Sequence, residues 1–197
     1  MNGAWGKFHS LWPLLGKRDG NLNKRLRLFD SSVTQTALWC CESWLLTQRE
    51  KRLLQSTQNA MLRRIAGPRR APEEPWVDWV KRSTRRALAL AREAGIRLWK
   101  DAYLKSKWCW AGHVMRMSPD RIARRGVEWR DSRWQAVENA LPAGMRVRRP
   151  GRKRWFRWED ELRSYAEHNG LDCWQALAQN RKIWMEHCEH FLKYVRR

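Results

Sequence analysis

The sequence predicts an all-α protein, a helical bundle followed by a basic helical C-terminal region, on three observations. Apolar residues recur at three- and four-residue spacing through most of the chain, the period of a helix with one buried face. Alternating strand patterns and hairpin turn pairs are scarce. Glycine and proline fall between the periodic stretches, where they punctuate helices instead of breaking them.

A short helix is expected around residues 4–15, followed by a loop over Gly16-Lys17-Arg18-Asp19-Gly20-Asn21. A longer one is expected from Leu22 to Trp44, with Leu22, Leu26, Phe29, Val33, Ala37 and Cys40 on its buried face. Thr47-Gln48-Arg49-Glu50 fits a capping box, in which hydroxyl and carboxylate each accept a backbone donor at a helix start. The helix it opens carries Leu54, Gln58, Met61 and Ile65 on one stripe and ends at Gly67, expected as a left-handed stop, with Pro68 forbidding continuation. Residues 1–67 thus form a first helical segment.

Pro68, Pro72 and Pro75 with Arg69 and Arg70 make residues 68–75 a stiff basic linker. Residues 76–140 form the next helical region, with helices over 76–94 and 96–116 parted at Gly95. On the second, Ile96, Trp99, Tyr103, Trp110, Val114 and Met117 make an apolar stripe, with Lys100, Lys105 and Lys107 off it. Ser118-Pro119-Asp120 is expected to open a shorter helix. Residues 141–152 form a second, basic linker, and residues 153–197 a C-terminal helical region with helices near 153–168 and 179–196. At helical spacing, Trp99, Trp110, Trp174 and Trp184 read as core anchors.

The formal charge is +21 over 197 residues, and the isoelectric point is near 11.0. Such an excess implies a polyanionic partner, RNA or DNA, or an anionic membrane surface. No run approaches the ~18 apolar residues a spanning helix needs, so a membrane is not expected. A GC-rich coding sequence would itself favour arginine and tryptophan, so clustering carries more weight than totals. The densest cluster runs from Arg146 to Trp158. Its Arg148, Arg149, Arg152, Lys153, Arg154 and Arg157 are candidate phosphate contacts, since cations there would release condensed counterions. Trp155 is a candidate base-stacking face. Trp155 and Trp158, three apart, would share one helix face, and either packing or stacking fits them.

Five cysteines at irregular spacing suggest no disulfide framework, and the first residues contain no signal-like apolar run. Nucleus or cytoplasm is the expected location. Cys173, His187, Cys188 and His190 lack the two short-spaced pairs of a zinc module, so no metal ligands are assigned. His113 is expected to pack between helices, with a nucleic-acid contact as the alternative. Asp120, Glu128 and Arg130 only faintly suggest a nuclease arrangement. The acids Glu159-Asp160-Glu161 suit the positive end of a helix dipole. No catalytic residue is assigned.

Three phrases, in order, resemble the C-terminal portion of LINE-type (non-LTR) retrotransposon reverse transcriptases. Leu38, Glu42, Trp44, Leu46, Thr47 and the ending Leu62-Arg63-Arg64-Ile65-Ala66-Gly67 are similar to that family's Leu-Tyr-Gly-Ser-Glu-Thr-Trp phrase and its thumb helix ending Leu-Arg-Arg-Ile-Leu-Gly. Trp110-Ala-Gly-His-Val-Met-Arg-Met117 is similar to its Leu-Gly-His-Val-Leu-Arg-Met phrase. Gly151-Arg-Lys-Arg-Trp155 with the acids after it is similar to its Gly-Arg-Pro-Arg-Lys-Arg-Trp phrase. The chain departs at Trp39 (tyrosine in the family), at Cys40 (glycine) and at Gly151, which follows the proline. The resemblance implies that residues 1–67 are thumb-like and grip template–primer, with Arg63 and Arg64 against its backbone. It also implies a basic tail that binds RNA or target DNA. The family's polymerase needs paired palm aspartates holding Mg2+. This chain has no Asp-Asp pair, so no cofactor and no polymerase activity are expected of it alone, the palm being expected upstream. Two other origins fit the same residues, a decayed element with a structural role only, or a host RNA-binding protein derived from such an element.

Overall fold

The computed structural model describes residues 2–129 and 157–196. It is mostly helical and has no strand among them, in agreement with the all-α class. The chain divides into two compact units, Met1–Ser106 and Lys107–Arg197. The segment 68–75 therefore lies inside the first unit.

The first unit opens with α1 (Asn2–Ser10) and α2 (Trp12–Leu15). Next comes α3 (Leu22–Leu28), which continues through a wider π turn over Phe29–Thr34 into α4 (Gln35–Ala37). Leu26, Phe29, Val33 and Ala37 are buried as their spacing predicts. The π turn also brings Thr34 inward, where its hydroxyl accepts the Trp99 indole N–H at 2.9 Å while Phe29 stacks on the Trp99 ring. The helix does not reach Trp44. It ends at Ala37, and Cys40 turns left-handed (φ 51°), so Cys40 is exposed and Cys41 is buried in its place.

In α5 (Gln48–Ala66) the capping box forms in full, with Glu50 N–H donating to the Thr47 hydroxyl and Thr47 N–H to the Glu50 carboxylate. Leu54, Gln58, Met61 and Ile65 are all buried. Gly67 is extended (φ −73°, ψ 147°), which corrects the left-handed stop. Glycine is still required there, because a Cβ would collide with the Arg63 carbonyl oxygen.

Helix α6 (Trp76–Glu93) pairs with α5 as a hairpin, burying Ser83, Ala87 and Ala91, small residues that let two backbones approach. It ends in a left-handed Gly95 (φ 77°) with the Ile96 N–H bonded to the Ala91 carbonyl, a Schellman closure. Helix α7 (Trp99–Met115) then starts on side chains from α5. The Gln58 amide oxygen accepts Trp99 N–H at 2.8 Å, and its NH2 donates to the Arg97 carbonyl at 3.0 Å. A glutamine in an apolar stripe is thereby the cap of another helix.

The second unit holds the end of α7, then α8 (Ile122–Glu128), α9 (Asp160–His168), α10 (Trp174–Gln179), α11 (Arg181–Glu186) and α12 (Cys188–Arg196). Its core is Trp108, Tyr165, Trp174, Trp184 and Phe191. The Trp108 and Trp184 rings stack at 3.7 Å, and each indole N–H donates to the other residue's carbonyl at 3.0 Å. Gly112 lies one turn beyond Trp108, and a Cβ there would strike the Trp184 indole. Of the expected anchors, Trp99, Trp174 and Trp184 are buried, whereas Trp110 is half-exposed.

Helix boundaries in the second unit also differ from expectation. Helix α8 starts at Ile122 because the Ser118 hydroxyl bonds the Asp120 carboxylate in a turn and does not cap a helix. Residues 157–159 are not helical, so among the described residues of the expected 153–168 helix the helical part begins at Asp160, whose carboxylate accepts Arg157 N–H, and Trp158 is not on a helix face. The C-terminal helix is capped by Asn180 and interrupted at His187.

Lys107, placed off the apolar stripe by its spacing, is fully buried and paired with Glu161 at 2.8 Å. Breaking one side of a buried pair strands the other charge, whereas replacing both costs far less. Lys107→Met should lower stability by about 3–5 kcal/mol in urea titration, and a double-mutant cycle with Glu161→Leu should show that the two losses are not additive. The hydrogen bonds from Thr47 hold the Glu50 carboxyl below its usual range. Its contribution is present above the ordinary carboxylate pKa and is lost as pH falls through the depressed one. Glu50→Ala should therefore lower Tm at neutral pH, and the gap to wild type should close on acidification.

Candidate nucleic-acid interface

In the last turn of α5 the two candidate arginines diverge, because neighbours on a helix point about 100° apart. Arg63 turns into the hairpin and donates to the Thr84 hydroxyl at 3.0 Å. Burial, then the adjacent Arg64 charge, lowers its affinity for its proton. Arg64 is exposed, with its guanidinium 4.8 Å from the Trp5 ring centroid, a cation–π contact that leaves the other face to solvent. Of the pair, only Arg64 presents its charge as a phosphate ligand would need.

Arg157 is half-buried. One guanidinium nitrogen donates to the Trp129 carbonyl at 3.4 Å, and Nη1 is buried without a hydrogen-bond partner. Its backbone N–H starts the turn into α9. The structure therefore uses Arg157 locally. Arg148, Arg149, Arg152, Lys153, Arg154 and Trp155 lie outside the described residues.

The clearest basic surface in the first unit was not singled out from the sequence. On α6 the face opposite Ser83, Ala87 and Ala91 exposes Lys81, Arg85, Arg86 and Arg92. Arg69 and Arg70 are exposed on the segment before it. That segment is tied to α6 at two points. The Trp79 indole N–H donates to the Pro68 carbonyl at 3.0 Å, and Arg82 forms a two-pronged pair with Glu74 at 2.7 and 2.8 Å. The Arg82 hydrogen bonds, with smaller help from the Ala71 N–H and the Arg82 and Arg70 charges, hold the Glu74 carboxyl below its usual range. The signal was legible: three small residues at four-residue spacing mark the buried face, and the cations fall on the other side.

The remaining polar candidates have local duties. Glu159 pairs with Arg163 at 2.8 Å, Asp160 caps the entry to α9, and Glu161 meets Lys107. Glu128 pairs with Arg124 at 2.9 Å and Asp120 with Ser118, while Arg130 lies outside the described residues. His187 Nδ1 is bonded to the Tyr165 hydroxyl at 2.8 Å, and the Cys173 sulfur accepts Ala176 N–H. Burial pushes the Cys41 thiol up, away from a reactive thiolate. Among the described residues no group of three or more His, Cys, Asp or Glu side chains gathers to hold a metal ion. None of the described helices is long and apolar enough to cross a membrane. His113 does not pack between helices. It is exposed beside the half-exposed Trp110 and borders a shallow groove with Arg116, Ser118 and Arg121.

The two arginines should separate experimentally. Arg63→Ala should cost about 1 kcal/mol of stability through its lost hydrogen bond, and Arg64→Ala should cost less, by denaturant titration of each variant. Comparison of the chain with protein-family models, with curated proteins and with solved structures returns no match.

Proposed function

We propose that this chain is the nucleic-acid-binding C-terminal portion of a LINE-type reverse transcriptase, holding template–primer or target nucleic acid for a catalytic palm that it does not itself contain. The observation that carries the proposal is the charge, +21, laid beside three phrases in the order of that family. Phosphate neutralisation falls to Arg64, the exposed cations of α6, and Arg69 and Arg70, together with Arg148, Arg149, Arg152, Lys153 and Arg154. Arg63 and Arg157 are spent on contacts within the fold, to the Thr84 hydroxyl and the Trp129 carbonyl.

Two backbone observations favour the resemblance. Cys40 occupies the position of the family's glycine in the Leu-Tyr-Gly phrase, and it is the described non-glycine residue with positive φ. A left-handed turn accounts for a glycine at that place better than close helix packing does. Gly112, in the Gly-His phrase, has a steric reason of its own in the Trp184 ring above it. Polymerase chemistry, with its Mg2+, would belong to the palm, so this chain alone acts as a binder and not as an enzyme.

The test is a salt titration of binding to labelled RNA and DNA. With ~6 phosphate contacts, affinity should fall on the order of a thousandfold between about 50 and 200 mM salt. The variant Lys81→Gln/Arg85→Gln/Arg86→Gln should flatten the log–log slope by up to about three units, roughly one per lost contact. Salt-insensitive or absent binding would overturn the proposal.

A further inference from the structure

We infer that Trp76, at the first turn of α6, is a stacking platform for an unpaired base, with Arg69 and Arg70 taking the flanking phosphates. This rests on the nucleic-acid reading above and deepens it, because it makes single-stranded RNA or DNA the preferred substrate. Trp76 is 60% exposed and Val77 beside it 58%, so the first turn of α6 offers a broad apolar area to solvent. The ring is not loose. It lies against Trp79 with centroids 4.8 Å apart at 43°, and Trp79 is itself fixed by its hydrogen bond to the Pro68 carbonyl.

The cations are positioned by the same scaffold. Arg82 grips Glu74 and donates to the Arg69 carbonyl at 3.4 Å, which holds the backbone of residues 69–74 against the start of α6. Arg69 and Arg70 remain exposed. Pro75 as the residue preceding the helix, with Pro72 before it, restricts the segment further. A braced aromatic face at the helix start, preceded by a tied-down segment with two exposed arginines, matches the arrangement that binds single strands, in which cations track the backbone and aromatic faces take the bases. An apolar protein partner would leave those two charges without a counterpart. A duplex would offer the phosphates but no free base face.

The experiment compares the full chain with Trp76→Ala, Trp76→Phe and Arg69→Gln/Arg70→Gln, using fluorescence anisotropy. The probes are a labelled single strand of about 12 nucleotides, the same strand with abasic sites, and a duplex. Trp76→Ala should weaken single-strand binding roughly 5- to 150-fold without changing the salt slope, and Trp76→Phe should restore most of it. Duplex affinity should move by less than about twofold, since no free base face is offered there. Arg69→Gln/Arg70→Gln should lower the slope by up to about two units. The wild-type chain should hold the abasic strand about as weakly as Trp76→Ala holds the intact one. Equal losses on single strand and duplex, or no loss on either, would overturn the stacking site while leaving salt-dependent binding, and with it the proposed function, intact. A wild-type chain that binds neither probe overturns both. The abasic arm needs no substitution, so the inference stays testable should Trp76→Ala alter the thermal melt.

Discussion

Trp108 and Trp184 each carry an indole N–H into a place that water cannot reach, and each would lose a hydrogen bond's worth of solvation there. They resolve this mutually. The rings lie parallel at 3.7 Å, and each N–H finds the other residue's carbonyl. The Trp108 carbonyl already lies in a helical turn, so its second lone pair takes the indole. The contact requires a helix surface with nothing projecting one turn on, and Gly112 supplies it. Tyr165 and Phe191 then pack edge-on and stacked around Trp108, and α9 and α12 take their positions from those rings. The cost of failing to pair is visible nearby, since Trp174 Nε1 is buried with no partner.

The first unit solves the same kind of problem with amides. A helix start leaves backbone N–H groups without intrahelical acceptors, and α7 starts inside the core, where Trp99 is fully buried. Gln58 and Gln55 reach across from α5 to Trp99 N–H and Lys100 N–H. Gln55 also donates to the Gln58 oxygen and to Asn59, so the three side chains form a connected network. Thr34 completes the ring of partners by accepting the Trp99 indole. Buried polar groups here define where a helix begins, which apolar packing alone would not specify.

What was legible in the sequence was local. Thr47 and Glu50 contain their own geometry, so the capping box appeared as expected, and the stripe from Leu54 to Ile65 needed only the helical period. Gln58 was visible as a member of that stripe, but its purpose was not, because its partner lies 41 residues away. Lys107 was misplaced for the same reason. Its spacing placed it off the apolar stripe, and its burial follows from partners distant in sequence, Glu161 and the Trp158 ring among them. Gly67 was recognised as a stop with the wrong handedness, since a glycine required by steric crowding and one required by positive φ look identical in sequence. The end of the helix expected over Leu22–Trp44 was missed because Cys40 enters the left-handed region without being glycine, asparagine or aspartate.

The arginines sort by the same distinction between local and distant partners. A count of charges treats Arg63, Arg64, Arg82 and Arg157 alike, yet three of them donate to groups fixed by the fold: Thr84, Glu74 and the Trp129 carbonyl. A guanidinium already holding an acceptor must give it up before taking a phosphate, so its contribution to binding is a difference and not a sum. Arg64, Arg69, Arg70 and the outer cations of α6 face no such exchange in the described structure. Their positions follow from small residues and prolines elsewhere, not from any basic motif. The dense cationic run at 146–158 is legible because it is contiguous in sequence. On α6 the fold gathers Lys81, Arg85, Arg86 and Arg92 on the outer side of one helix from residues spread along the sequence, and helical spacing fixes their geometry.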